Sequence, residues 1–186
     1  LGKVGQLLGV PDAQRVWRST DAGVQAAAQS LSPQARGARV YFEVNPGPFG
    51  AGPGSFIGET LTRLGARNIL PDALGPFPKL NPEFVVRADP HLIMVGARSA
   101  EGLAARPGWG QMRALRGQRL CVFTPTESDV LVRPGPRMAE GARLMARCLS
   151  DKAPRPQALR AGAAVQAGQG ASAAASASTA PGVPAR

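Results

Sequence analysis

The stretch Arg39–Leu64, RVYFEVNPGPFGAGPGSFIGETLTRL, decides the fold class. Arg39 to Val44 is β-branched and aromatic, as a buried strand should be. Asn45 to Gly54 is too rich in Gly and Pro to be regular. Ser55 then caps a helix to about Leu64, with Glu59 in its first turns and Gly65 as the stop. Outward from this unit, HLIMVG (His91–Gly96) and RLCVFTP (Arg119–Pro125) are two further apolar strands. Between them Asn81 and Pro82 open a short helix through Ala88, Pro82 at the tolerated first position. Helical stretches follow near Glu101 and over Trp109–Leu115, and Pro136–Leu149 is a last amphipathic helix. Upstream, residues 1–9 read as the end of a helix closed by Gly9 and Pro11, and Asp12 caps a second helix to about Leu31. Alternation of helices with unbroken apolar strands predicts an α/β fold, its mainly parallel sheet covered by helices on both faces.

Composition narrows the function classes. Apolar residues make up 44% of the 186, enough for one sizeable core. Uninterrupted apolar runs fall far short of the roughly 20 residues that cross a bilayer. The formal net charge of +10 raises nucleic acid as a partner. Only Lys3, Lys79 and Lys152 are lysines, so 19 of the 22 basic residues are arginines, scattered singly in an Ala-, Gly- and Pro-rich chain. That pattern fits compositional bias, and no nucleic-acid partner is expected. Beyond about Lys152 large apolar residues all but vanish, which predicts a disordered tail over residues 151–186.

Enzyme chemistry has little to stand on. The strand, Gly-rich loop and helix have the layout of an anion site, yet GxxxxGK[ST] and GxGxxG are both absent. His91, the only histidine, begins a strand, whereas ligands of parallel sheets gather at the carboxyl ends. Glu127 and Asp129, two apart in a loop, read as solvated or ion-paired acids rather than a catalytic dyad, and no cluster has metal-ligand spacing. Cys121 and Cys148 suit either one bridge or two buried thiols. The loops after the strands hold Phe49, Phe77, and Asp129 with Arg133, which suit a large, partly apolar ligand or, equally, an ordinary core and a surface pair.

Several ordered motifs, GSFIGE…LGARNI, NPEFVVRADPHLI and RPGPR, resemble the C-terminal lobe of the periplasmic proteins that serve cobalamin and iron-siderophore ABC importers. The likeness runs from about Leu1 to Leu149 and is greatest to the cobalamin-binding branch. It implies two α/β lobes joined by a long helix, with ligand in the cleft between them. Residues 1–31 would then be the end of an N-terminal lobe and the connector helix, residues 32–150 the C-terminal lobe, and the chain truncated at its N-terminus. The resemblance implies a periplasmic monomer that binds and delivers its cargo without catalysis. Cobalamin would be cargo rather than cofactor, with a ferric siderophore or heme as the alternative. Phe49, Phe77, Asp129 and Arg133 would meet the ligand; Phe77 stands where cobalamin binders carry a tryptophan. Glu83 would dock on the membrane permease, the contact with the membrane complex being peripheral only. From another class, a small α/β enzyme acting on a phosphorylated substrate stays open.

Overall fold

In a computed structural model, the described residues are 12–33 and 35–154, with Gly5, Leu7 and Gly9. The helix expected over residues 1–9 lies largely outside them, and so does the tail expected over 151–186, except that its first two residues, Asp151 and Lys152, close the last helix instead. Three strands, β1 (Arg39–Asn45), β4 (Leu92–Gly96) and β5 (Leu120–Phe123), run parallel, with β1 beside β4 and β4 beside β5. Along the outer edge of β1, β3 (Arg67–Asn68) pairs in parallel with its first half. The two-residue β2 (Phe49–Gly50) folds back antiparallel on its second half. The Gly/Pro-rich stretch is therefore not wholly irregular, since it makes a hairpin at the carboxyl end of β1.

Alternation along the strands builds two cores. Val40, Phe42, Leu92 and Met94 point to one face, where α1 (Ala13–Gln29), α2 (Phe56–Arg63), α6 (Pro125–Val132) and α7 (Met138–Lys152) cover them. Tyr41, Ile93 and Val95 point to the other, beneath α3 (Pro82–Ala88), α5 (Arg113–Arg116) and the short turns at Leu103–Ala105 and Trp109–Gln111. Between β4 and those turns lies the single-turn α4 (Ala97–Ala100). A sheet buried on both faces favours near-continuous apolar strands, which is why β4 reads as an unbroken run and β1 as one interrupted only by the buried Glu43.

Local signals act as expected at most ends. Ser55 accepts a hydrogen bond from Gly58 N, and Asn81 accepts one from Glu83 N ahead of Pro82. Gly65 ends α2 in the left-handed region, at φ 79°. Asp12 behaves differently: it precedes α1 without a side-chain cap and pairs with Arg15 at 2.8 Å. On α1 the buried positions are Val24 and Ala27, while Val16 and Trp17 are exposed.

The segment holding Glu127 and Asp129 is a helix, α6, rather than a loop. Thr124 and Glu127 form a reciprocal capping box, and Pro125 occupies the first turn. Cys121 and Cys148 are joined in a disulfide that ties the edge strand β5 to α7, their Cα atoms 6.0 Å apart.

Candidate ligand cleft

A cleft of about 610 Å³ opens at the carboxyl ends of the parallel strands. Val44, Asn45 and Pro46 enter it from β1, and Gly96 to Ser99 from the end of β4 and α4. Pro125, Ser128, Asp129 and Val132 close it from α6. Parallel strands all end on the same side, so their following loops converge there without further instruction. Gly96 lets α6 come in close: a Cβ there would lie 2.9 Å from Ser128 Oγ. The walls mix apolar Val44, Pro46 and Val132 with a few polar groups, the usual make-up of a small-molecule site.

Of the residues expected to bind ligand, Asp129 lines this cleft. It also lines a neighbouring depression of about 260 Å³ with Arg133, the two side chains forming an exposed ion pair at 3.6 Å. Phe49 is half-buried and pairs across the hairpin with Asn45, so it flanks the cleft without lining it. Phe77, 43% exposed, rests edge-on against Phe56 with ring centroids 6.0 Å apart. Gly50 N and Gly52 N donate to the Pro78 and Pro76 carbonyls, zipping the Phe77 loop along the Phe49 hairpin. The two rings thus share one corner of the fold, where Phe56 also meets Val130 and Leu131 of α6 around a small depression. Glu83 is exposed in the first turn of α3.

Those hydrogen bonds also account for the anion-site layout at Asn45–Gly54. Two of the loop amides are spent on the neighbouring loop, and Ser55 caps Gly58 N. Gly52 and Gly58 are glycines because a Cβ on either would strike a backbone carbonyl, that of Gly75 or of Gly52 respectively. The glycines serve close packing rather than a phosphate cradle.

Behind the cleft sits a buried charged cluster. Glu43, its side chain fully buried in β1, accepts two hydrogen bonds from Arg106, at 2.7 and 2.9 Å. The Tyr41 hydroxyl donates to the same carboxylate at 3.1 Å, and the Arg106 guanidinium lies 4.6 Å over the Trp109 ring. Burial first, then the Glu43 charge, pushes the Tyr41 hydroxyl far up, so it stays a donor. Arg106 is raised by its hydrogen bonds to Glu43 and remains a cation. This fork pins the segment that leaves β4 back onto β1 (the segment that carries Arg98 and Ser99).

At the opposite end of the sheet, His91 Nδ1 accepts from Arg39 N at 3.1 Å. Burial, then the charges of Arg113, Arg39 and Arg119, hold its pKa down at about 4, against the opposing Asp89. It is a structural histidine remote from the cleft, as its place at the start of a strand implied.

Residues 1–126 match the family model described as periplasmic binding protein. The chain belongs to this periplasmic binding protein family. Solved structures carry the same fold. A possible iron-binding periplasmic solute-binding protein from Staphylococcus epidermidis is 21% identical with TM-score 0.66, over 79% of this chain and 58% of that one. The periplasmic heme-binding protein BhuT, in complex with two hemes, is 25% identical with TM-score 0.63, over 81% of this chain and 60% of that one. The periplasmic vitamin B12 binding protein BtuF of Vibrio cholerae is 19% identical with TM-score 0.59, over 71% of this chain and 50% of that one. The chain therefore spans between half and three-fifths of the length of these three relatives. Among curated proteins no sequence match is found.

Sequence reading passed over Asn45, Arg98, Ser99 and Ser128. The signal was positional: Asn45 ends its strand, and Arg98 and Ser99 follow the strand His91–Gly96 within three residues.

Proposed function

We propose that this chain supplies one wall of a cleft that receives a large metal chelate and presents it to the permease of an ABC importer in the periplasm. The observation that carries this reading is the 610 Å³ cleft at the carboxyl edge, apolar-walled with Asn45, Ser99, Ser128 and Asp129 set into it. Cobalamin is the cargo nominated by sequence resemblance. Heme, bound by the 25%-identical relative, and ferric siderophores are the competing cargoes. Phe49 and Phe77 supply flat apolar faces beside the cleft, Asp129 and Arg133 a polar rim, and Glu83 an exposed acid for permease docking. The protein acts by binding and needs no catalytic group or resident cofactor.

The Cys121–Cys148 bridge supports the compartment, because disulfides persist in oxidising spaces such as the periplasm. No helix among the described residues is long and apolar enough to cross a membrane.

Equilibrium dialysis of the chain against cyanocobalamin and against hemin, read by chelate absorbance, tests the proposal. Saturable one-to-one binding of either chelate, weakened by Phe77→Ala or Asp129→Ala, is the expected result. Failure of cyanocobalamin, hemin and a ferric siderophore alike to saturate the chain would refute it.

A further inference from the structure

We infer that Arg98 makes the cleft selective for anionic metal chelates, its guanidinium receiving a peripheral carboxylate or catecholate oxygen of the cargo. This rests on the proposed chelate-binding role and narrows its substrate class. Arg98 is the only cation among the residues that line the cleft, and it is exposed to it. Among the described residues it makes no hydrogen bond and no ion pair. The one anion in the lining, Asp129, is already paired with Arg133.

The other arginines with named contacts are engaged. Arg106 holds Glu43, Arg113 holds Asp89, Arg63 holds Asp21, and Arg39 and Arg119 donate to backbone carbonyls. Of the two helix N-termini beside the cleft, that of α6 is closed by the Thr124–Glu127 capping box and by Pro125, which has no N–H. The single-turn α4 begins after Gly96 without a side-chain cap, so its first amides lie on the same side of the cleft as Arg98 and add to its positive end.

The position of Arg98 is also fixed. Its backbone runs between buried Val95 and buried Ser99, and the segment returns to the sheet through the Arg106–Glu43 fork. A cargo that covers the cleft strips water from the guanidinium. A neutral chelate leaves that charge uncompensated, whereas an anionic oxygen answers it with a charge-assisted, two-pronged hydrogen bond. The difference acts as selection against neutral cargo as well as for anionic cargo. It ranks heme and ferric siderophores above cobalamin, whose corrin rim carries neutral amides.

The test is equilibrium dialysis of the 186-residue chain and its Arg98→Gln and Arg98→Lys variants against three probes. Hemin presents carboxylates, a ferric tris-catecholate presents catecholate oxygens, and cyanocobalamin presents a neutral rim. Arg116→Gln, at the other end of the sheet, is the control for lost net charge. The wild-type chain should favour the anionic probes. R98Q should weaken the preferred one by about tenfold or more, R98K should restore only part of that loss because lysine keeps the charge without the two-pronged geometry, and R116Q should follow wild type. Which anionic probe loses more identifies the oxygen that Arg98 receives. Equal affinity of R98Q and wild type for both anionic probes overturns the assignment, as does tightest binding of cyanocobalamin. If none of the three probes saturates the wild-type chain, the chelate-binding role itself fails, and the inference falls with it. The side chain is exposed, so R98Q should melt with wild type, and a circular-dichroism scan separates lost binding from lost folding.

Discussion

Removing Arg106 is the sharpest test of what holds the cleft wall in place. In Arg106→Leu, the fully buried Glu43 carboxylate keeps the Tyr41 hydroxyl but loses both charged donors. Breaking a buried pair from one side typically costs about 3–5 kcal/mol, because the remaining charge is stranded. The Arg106 side chain is 21% exposed, so water already screens part of the pair, and the lower end of about 3 kcal/mol is expected. For a domain of this size that is a fall of roughly 6–12 °C in melting temperature. Glu43→Gln removes the charge from the other side and should cost less, about 1–2 kcal/mol. The amide can still accept from Arg106 or Tyr41, and the guanidinium keeps the Trp109 face and an outlet to solvent. Urea unfolding followed by circular dichroism under non-reducing conditions reads both variants. The reasoning fails if Arg106→Leu costs under 1 kcal/mol, or if Glu43→Gln proves the more damaging.

Three further outcomes follow from the same physics. His91, held near pKa 4 against 6.5 when unfolded, stays neutral in the native state while the unfolded chain takes up a proton. Stability should therefore fall as pH drops from about 6.5 to about 4, and His91→Gln should flatten that decline; the sole imidazole makes its proton-NMR titration easy to follow. Gly58→Ala should destabilise by about 2–3 kcal/mol by driving a methyl group into the Gly52 carbonyl, and should shift the NMR signals of the Phe49 and Phe77 rings; unchanged stability would mean the loop has slack. Reducing Cys121–Cys148, which lie 27 residues apart, should cost about 3–4 kcal/mol in urea titrations, and a Cys121→Ser/Cys148→Ser chain should match the reduced protein.

Where a signal was local, the sequence carried the fold. The runs Arg39–Val44 and His91–Gly96 are legible as strands because burial on both faces keeps them almost wholly apolar, Glu43 being admitted only with Arg106 and Tyr41 as partners. Ser55, Asn81–Pro82 and Gly65 are legible because caps and stops act within one turn. The helix α6 was equally local. Thr124, Pro125 and Glu127 spell a capping box with proline at the first position, a signal masked by reading the acids of that stretch as a loop pair. The pairings of β2 and β3 with β1 carry no such mark. Two-residue strands have no period to detect, and their partners come from packing of the Phe77 loop. The disulfide belongs to the same class, since only the arrangement of β5 against α7 brings the two cysteines together.

The cleft was legible by position and obscured by residue type. Phe49, Phe77, Asp129 and Arg133 stand out chemically, yet only Asp129 lines the cleft itself. Arg98 stands out in no composition, being one of 19 arginines in a chain where arginine is common. What separates it is its place in the cleft lining without a side-chain partner among the described residues, and both are properties of the fold. Glu43 recruits Arg106 from 63 residues away, Asp89 recruits Arg113, and the start of the sheet absorbs Arg39 and Arg119 on carbonyl groups. The number of arginines therefore overstates the guanidinium groups free to bond a ligand, because several are held by internal bonds. A cation that follows a parallel strand, lines the cleft and has no internal partner has its charge available to cargo, and strand register plus an accounting of partners finds it where residue type alone does not.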